Sequence, residues 1–454
     1  MNRTVEATRE MKDSGVEWIG KIPKDWKVKR NKYFLEEINL KNINNNENLL
    51  SVSEYYGVAL RKEKISEDEF LTRAESLDGY KICKKDDLVM NIMLAWKKAM
   101  GVSIYDGIVS PAYCVYRGKN NIFMKYYHYL FRTDLYANIF KQYSTGIIDS
   151  RLRLYPEKFL SLNSHSPLID EQEKIANFLD EKTSQFDLII SKKEKLIERL
   201  EEAKKSLISE VVTGKVKVVK TDDGYELMKR SNEEMKDSGV EWLGEIPKNW
   251  DVIKLKHLVS QKITDGPHET PELVDDGVPF LSAEAIVNSK ISIPNMRGYI
   301  TKEQYGIYAK KSKVCKNDIL FCKSGSTTGK SALVTTDDIF AIWSPLAIIR
   351  ANDKKIDYKN LFYVIQSPYF RVQVVNYWSF GTQPNIGMGT LENLYIPLSK
   401  NQQEQKSISE YLDLKIIFID KLIDRVNIQI EKLKEAKQSL ISEAVTGKIE
   451  VRER

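Results

Sequence analysis

Cysteine is scarce. Four residues in 454 (Cys83, Cys114, Cys315, Cys322), none in a Cys-x-x-Cys pair, make no disulfide framework. Only four histidines accompany them, which argues against a structural zinc site. No stretch approaches the ~20 uninterrupted apolar residues that span a bilayer. The opening residues Met1–Ala7 lack the apolar run of a signal peptide. A reducing cytoplasm is the expected setting, with no membrane partner.

The sequence is also poor in catalytic signatures. No Gly-x-Gly-x-x-Gly follows a strand-like run, and no glycine-rich methyl-donor loop is visible. Thr327-Thr328-Gly329-Lys330-Ser331 approaches a phosphate loop, but the glycine that should open the motif falls at Ser324, with Gly325 one residue too close. A β-hairpin between Ile319–Cys322 and Ala332–Thr335 fits the region better. Ser110-Pro111-Ala112-Tyr113 and Ser344-Pro345-Leu346-Ala347 both lack the second proline of the amino-methyltransferase tetrapeptide, and the second also lacks its aromatic residue. Both read as strand entries. No catalytic constellation emerges, so no catalytic or metal residue is assigned and a binding subunit is expected. A DNA methyltransferase or nuclease acting alone would need an active site of unrecognised form.

What the sequence does have is repetition. Residues 11–26, MKDSGVEWIGKIPKDW, recur at 235–250 as MKDSGVEWLGEIPKNW, with thirteen of sixteen positions identical at an offset of 224. Residues 200–215, LEEAKKSLISEVVTGK, recur at 433–448 as LKEAKQSLISEAVTGK, again with thirteen of sixteen identical but at an offset of 233. The second copy therefore carries nine extra residues between matching ends. Between those ends only a skeleton is shared. Asp86-Asp87-Leu88-Val89 parallels Asn317-Asp318-Ile319-Leu320, the Ser-Pro segments each lead to an arginine (Arg117, Arg350), and Gly146 and Gly381 follow. A frame that is kept while its content changes suggests two modules of one fold and different specificity.

Each unit ends in a long helical pattern, from Asp170 to about Thr213 and from about Gln403 to Val445. Ile175, Leu179, Phe186, Ile189, Leu196, Leu200, Ala203 and Leu207 trace a heptad seam in the first. Ile408, Leu412, Ile419, Leu422, Val426, Leu433, Ala436 and Leu440 trace it in the second. Thr213-Gly214 and Thr446-Gly447 supply glycine stops. A narrow seam of this length needs a partner, and the other helix is the nearest of equal length. The middles read as α+β: strand-like runs at 87–94, 101–105, 112–116, 318–322 and 341–350 interleave with helical stretches at 125–142 and 359–375.

The net charge of +6 resides largely in the middles: residues 29–166 carry 21 Lys+Arg against 16 Asp+Glu, and residues 254–397 carry 17 against 13. Cations there can neutralise phosphates, while Ser, Thr, Asn, Gln and Arg can read base edges. The candidate DNA-binding residues, chosen by loop position and chemistry, are Arg61, Lys62, Trp96, Lys97, Lys98, Arg151 and Arg153 in the first middle. In the second they are Lys310, Lys311, Lys323, Ser324, Ser326, Thr327, Thr328, Lys330, Gln383 and Asn385.

The doubled openings Gly15–Trp26 and Gly239–Trp250, the Glu171-Gln172 and Glu404-Gln405 pairs opening each long helix, and the doubled Ser-Leu-Ile-Ser-Glu-x-Val-Thr-Gly-Lys endings together resemble the specificity subunit of type I restriction-modification enzymes. The resemblance covers essentially the whole chain. It implies an α+β chain with two globular target-recognition domains, each reading half of a bipartite site in double-stranded DNA. The long helices would form an antiparallel coiled coil that sets the distance between them, within a pseudo-twofold repeat. On this basis the domains are 1–166, first recognition domain; 167–215, first spacer helix; 216–234, connector; 235–397, second recognition domain; and 398–454, second spacer helix and tail. Two modification subunits would bring adenine methylation with S-adenosylmethionine. Two restriction subunits would bring ATP- and Mg2+-dependent translocation and cleavage. No cofactor is expected on this chain itself.

Overall fold

The computed structural model describes residues 9–42, 48–63, 77, 79–119, 121–380 and 383–451. The chain divides into two compact units: one joins residues 1–193 to 427–454, and the other is the continuous stretch 194–426. Met1–Ala7 and Gly381 lie outside the described residues.

Each unit is built on the same four-stranded antiparallel sheet. In the first unit the order is Leu35–Ile38, Tyr113–Gly118, Leu88–Asn91, Met100–Val102. In the second it is Thr264–Asp265, Leu346–Ile349, Ile319–Cys322, Ser331–Leu333. The shared skeleton of the middles now has a cause. Arg117 donates from Nε and Nη2 to the two carboxylate oxygens of Asp87, at 2.8 and 2.7 Å, and Arg350 does the same to Asp318 at 2.7 and 2.8 Å. Such forked, charge-assisted pairs tie adjacent strands in register. The same aspartates accept main-chain N–H bonds from Lys84 and Cys315, closing turns in which Asp86 and Asn317 adopt positive φ.

Two expectations for the middles need correction. The single helical stretches at 125–142 and 359–375 are each two helices, Met124–Phe131 with Asp134–Tyr143 and Tyr358–Gln366 with Pro368–Tyr377. Thr133 and Ser367 each cap a new helix by accepting a backbone N–H, and Pro368 fits the first turn. The run 341–350 is likewise two strands, Ala341–Ile342 and Leu346–Ile349, in different sheets and separated by the Ser344-Pro345 turn. The connector contains a β-hairpin, Val216–Thr221 against Gly224–Lys229.

The long helices run Ile169–Val212 and Gln402–Val445, 44 residues each, about 66 Å at 1.5 Å per residue. In the first unit Lys437 pairs with Asp187 and Lys193 with Gln429; in the second Lys204 pairs with Asp420. The partner's number falls as the residue number rises, so the pairing is antiparallel. The seam runs through Leu179, Phe186, Ile190, Ile197, Leu200 and Leu207, and through Leu412, Ile416, Ile419, Ile423, Val426, Ile430, Leu433 and Leu440. Four residues assigned to the seam above, Ile189, Leu196, Ala203 and Ala436, are exposed. Lys193 and Lys204 take the neighbouring turns instead, laying half-buried stems along the seam and carrying their charges to Gln429 and Asp420. Among the described residues no helix is long and apolar enough to cross a membrane.

The near-identical ends meet each other, but not within one repeat. In the first unit the opening segment (Met11–Asp13 paired with Lys21–Pro23) abuts the helix end at Gly447; in the second, the opening segment Met235–Pro247 abuts Gly214. Each ending thus packs on the opening of the other copy. Trp26 and Trp250, both buried, sit at these junctions and donate from Nε1 to Glu171 (2.7 Å) and Glu404 (3.2 Å). Arg9 and Arg230 bind the other oxygens of the same glutamates. The following Gln172 and Gln405 accept the main-chain N–H of Phe123 and Asp357, fixing the long helix to the first of the two short helices in each unit. The Glu-Gln pairs therefore join opening segment, long helix and first short helix at one point.

Candidate nucleic-acid interface

In each unit one loop of the four-stranded sheet is stitched to the segment that follows the second short helix. In the first unit the loop is 92–99, between Leu88–Asn91 and Met100–Val102, and Leu154 donates its N–H to Ile92 O at 2.9 Å. In the second it is 323–330, and Ile386 donates to Lys323 O at 2.8 Å. The two places correspond, and most of the candidate residues collect there.

In the second unit loop 323–330 pairs with the hairpin Ser379–Phe380/Pro384–Asn385. Ser324 bridges to Asn385, and Gly325 N–H donates to Pro384 O at 3.0 Å. This brings Ser324, Ser326, Gln383 and Asn385 to one surface, the last three exposed, with Lys330 exposed at the loop end. Thr328 is buried: its hydroxyl donates to Gly325 O and lies 3.2 Å from Pro384 O, so it shapes the loop. Thr327 contacts the buried Cys322 thiol, and burial raises that thiol's pKa. Arg371, from the second short helix, binds the Thr328 carbonyl beneath the loop.

Lys323 and Lys311 converge on Asp265, which is fully buried; the distances are 3.3 and 2.8 Å, and His268 lies 3.1 Å from the same carboxylate. Burial alone would raise the Asp265 pKa, but the two ammonium groups outweigh it and hold it below the usual carboxylate range. Lys311 remains more than half exposed, so one cation still faces solvent, and Lys310 beside it is exposed too.

In the first unit Trp96 is flanked by cations, with Lys97 Nζ 5.2 Å and Lys141 Nζ 4.8 Å from its ring. Lys98 has positive φ and pairs with Asp134 at 2.6 Å. Arg151 and Arg153 are exposed in the segment stitched to this loop, and Arg153 bridges Thr145. Gly146 is needed here, because a Cβ would lie 2.6 Å from Arg151 O. Arg61 and Lys62 form a turn after the strand Gly57–Leu60, apart from that loop. Burial raises the Tyr113 phenol pKa and nearby Arg61 opposes the rise. Asp265, His268 and Arg371 were not singled out from the sequence. A lone Asp in Thr264-Asp265-Gly266 carries no sequence signal, and only its burial beneath two lysines shows its role.

Comparison with known proteins gives consistent matches. Residues 247–432 match the family model for the type I restriction modification DNA specificity domain. The chain is 26% identical to the type I restriction enzyme MjaVIII specificity subunit of Methanocaldococcus jannaschii, over 95% of each chain. It is likewise 26% identical to the putative MjaX specificity subunit of the same organism, over 96% of each. Among solved structures, one from work on the complex assembly and conformational transition of a type I R-M system superposes with a TM-score of 0.64 at 14% identity, covering 93% of this chain and 98% of that one. That likeness is one of fold.

Proposed function

The chain belongs to the specificity subunits of type I restriction-modification enzymes, and from that premise we propose that its two units each read one half of a bipartite site in double-stranded DNA. The chain is the DNA specificity component of such a system and not its catalytic subunit. The observation that carries the two-half reading is the contrast between frame and loops. Both units keep the Asp–Arg fork and the Arg–Glu–Trp junction, yet one presents Trp96, Lys97, Arg151 and Arg153 where the other presents Ser324, Ser326, Gln383 and Asn385. The first set is suited to phosphates and stacking, the second to base edges.

In this reading Lys97, Arg151, Arg153, Lys310, Lys311 and Lys330 contact the DNA backbone, and affinity falls steeply with salt. Two modification subunits would supply adenine methylation from S-adenosylmethionine. Two restriction subunits would supply ATP- and Mg2+-dependent translocation and cleavage. The test is to map methylated adenines in DNA from cells expressing this chain with its modification subunit. Two short conserved sequences at a fixed separation are expected. A single contiguous motif, or methylation without sequence preference, would refute the division between units.

A further inference from the structure

Arg132 follows the helix Met124–Phe131, four residues after His128. Its guanidinium faces five main-chain carbonyls. Nη1 donates to Met100 O at 2.7 Å and Lys98 O at 2.9 Å, with Ser53 O at 3.4 Å; Nη2 donates to Glu54 O at 3.0 Å and Tyr55 O at 3.1 Å. These oxygens belong to two hairpins: Leu50–Ser53/Gly57–Leu60, and the sheet hairpin whose loop carries Trp96, Lys97 and Lys98. His128 completes the seat, its Nδ1 accepting the Val102 N–H at 3.1 Å. The hairpins touch where a Cβ on Gly101 would lie 3.1 Å from Gly57 Cα.

Burial lowers the Arg132 pKa to about 10, so the charge is held in place by carbonyl dipoles. A surface hairpin tip needs no such anchor. This tip carries Tyr55, whose side chain is 83% exposed. A large aromatic ring with a polar end, on a backbone tied down by hydrogen bonds to Arg132, makes contacts at low entropic cost. It stands on the same clamp as the Trp96–Lys98 loop. Among the described residues the second unit has no such clamp. Lys125 and Tyr129 bind Asp180 just as Lys359 and Tyr363 bind Asp413, and that register puts Gln366 where Arg132 stands.

We propose that Tyr55 is a base-contacting residue of the first unit and that Arg132 is its positioning residue, locking the Glu54–Tyr56 tip against the Trp96–Lys98 loop as one reading surface. The proposal rests on the two-half reading above.

The test is selection of duplex DNA from a randomised pool by the full chain, comparing the parent with Tyr55→Ala and Arg132→Gln. Tyr55→Ala should reduce the preference at one or two base pairs of a single half-site by about tenfold or more. Arg132→Gln should blur those same base pairs and leave the other half-site intact, which a general loss of stability would not do. Since Tyr55 is exposed, its variant retains the fold even if the Arg132 variant does not. Parental preferences at every position in Tyr55→Ala, or a uniform drop in affinity with preferences unchanged, would overturn the proposal. A parent that selects no bipartite sequence would instead overturn the two-half reading itself.

Discussion

Alanine at Gly447 tests whether the repeated ends of the chain form an interface or are merely duplicated. Gly447 has φ +72°, and a Cβ there would lie 2.7 Å from Pro23 Cδ and 3.1 Å from Trp26 Cη2. The left-handed backbone costs a non-glycine residue about 1–2 kcal/mol. The clash involves a proline ring and a buried indole, neither able to swing aside, so overpacking adds about 1–3 kcal/mol. Gly20 provides the control: its φ is +71° and nothing lies within 4 Å of the Cβ position. Gly20→Ala therefore carries the backbone term alone. Gly447→Ala should be the less stable of the two by about 1–3 kcal/mol. In urea unfolding followed by tryptophan fluorescence that is a midpoint difference of roughly 0.5–1 M. The second unit repeats the experiment, with Gly214 against Pro247 and Trp250 and with Gly244 as the open control. Equal midpoints for Gly447→Ala and Gly20→Ala would refute the packed junction.

Removing one partner of a buried pair should be severe: Arg350→Met leaves the fully buried Asp318 uncompensated and should cost about 3–5 kcal/mol at neutral pH, read as a lowered urea midpoint. His128 and His165 are depressed by burial from 6.5 to about 3 and about 4. Between pH 6.5 and 4 the unfolded chain therefore binds protons that the folded one refuses, and stability falls as pH drops, by about 1.4 kcal/mol per unit per histidine at most. Midpoints at pH 7.5 and 5.5 should differ less in His128→Gln than in the parent; an unchanged difference would contradict the buried neutral imidazole. Exchanging residues 255–394 for those of a related chain preserves the ladder Trp250–Lys254/Tyr395–Ser399. It should change one half of the methylated sequence and leave the other untouched, so a change in both halves would count against independent reading.

The long helices, their glycine stops and the doubled frame could all be read from the sequence, because each rests on local pattern. Gly214 and Gly447 do take positive φ and end the helices. Which apolar residues make the seam could not be read fully, because Ile189 and Ile190 are adjacent and chemically alike, and only the partner helix decides that Ile190 is covered. Lys193 and Lys204 belong to the interface through their stems, although their residue type reads as purely polar. The two-helix break at Thr133 and Ser367 was within reach, as both are ordinary capping residues. The loops gathered around Ser324 and Asn385 join residues some sixty positions apart through main-chain hydrogen bonds, which leave no mark on residue type.

The way the repeated ends are shared also orders the making of the protein. The second unit is one continuous stretch, 194–426, whereas the first must draw residues 427–451 back to its beginning. Gly214 meets Pro247 across a short interval, while Gly447 meets Pro23 across nearly the whole chain. By the logarithm of loop length, that second closure is less favourable by about 2 kcal/mol. At translation rates of about 5–20 residues per second, residues 9–193 wait roughly 10–50 s for their last helix. Through that interval Trp26 and Tyr126 lack Gly447 and the Val445 carbonyl, to which the Tyr126 hydroxyl donates at 2.8 Å in the finished fold. On the ribosome the unit that starts first is therefore the one that finishes last, and its aromatic core is the surface left open to a chaperone or to aggregation.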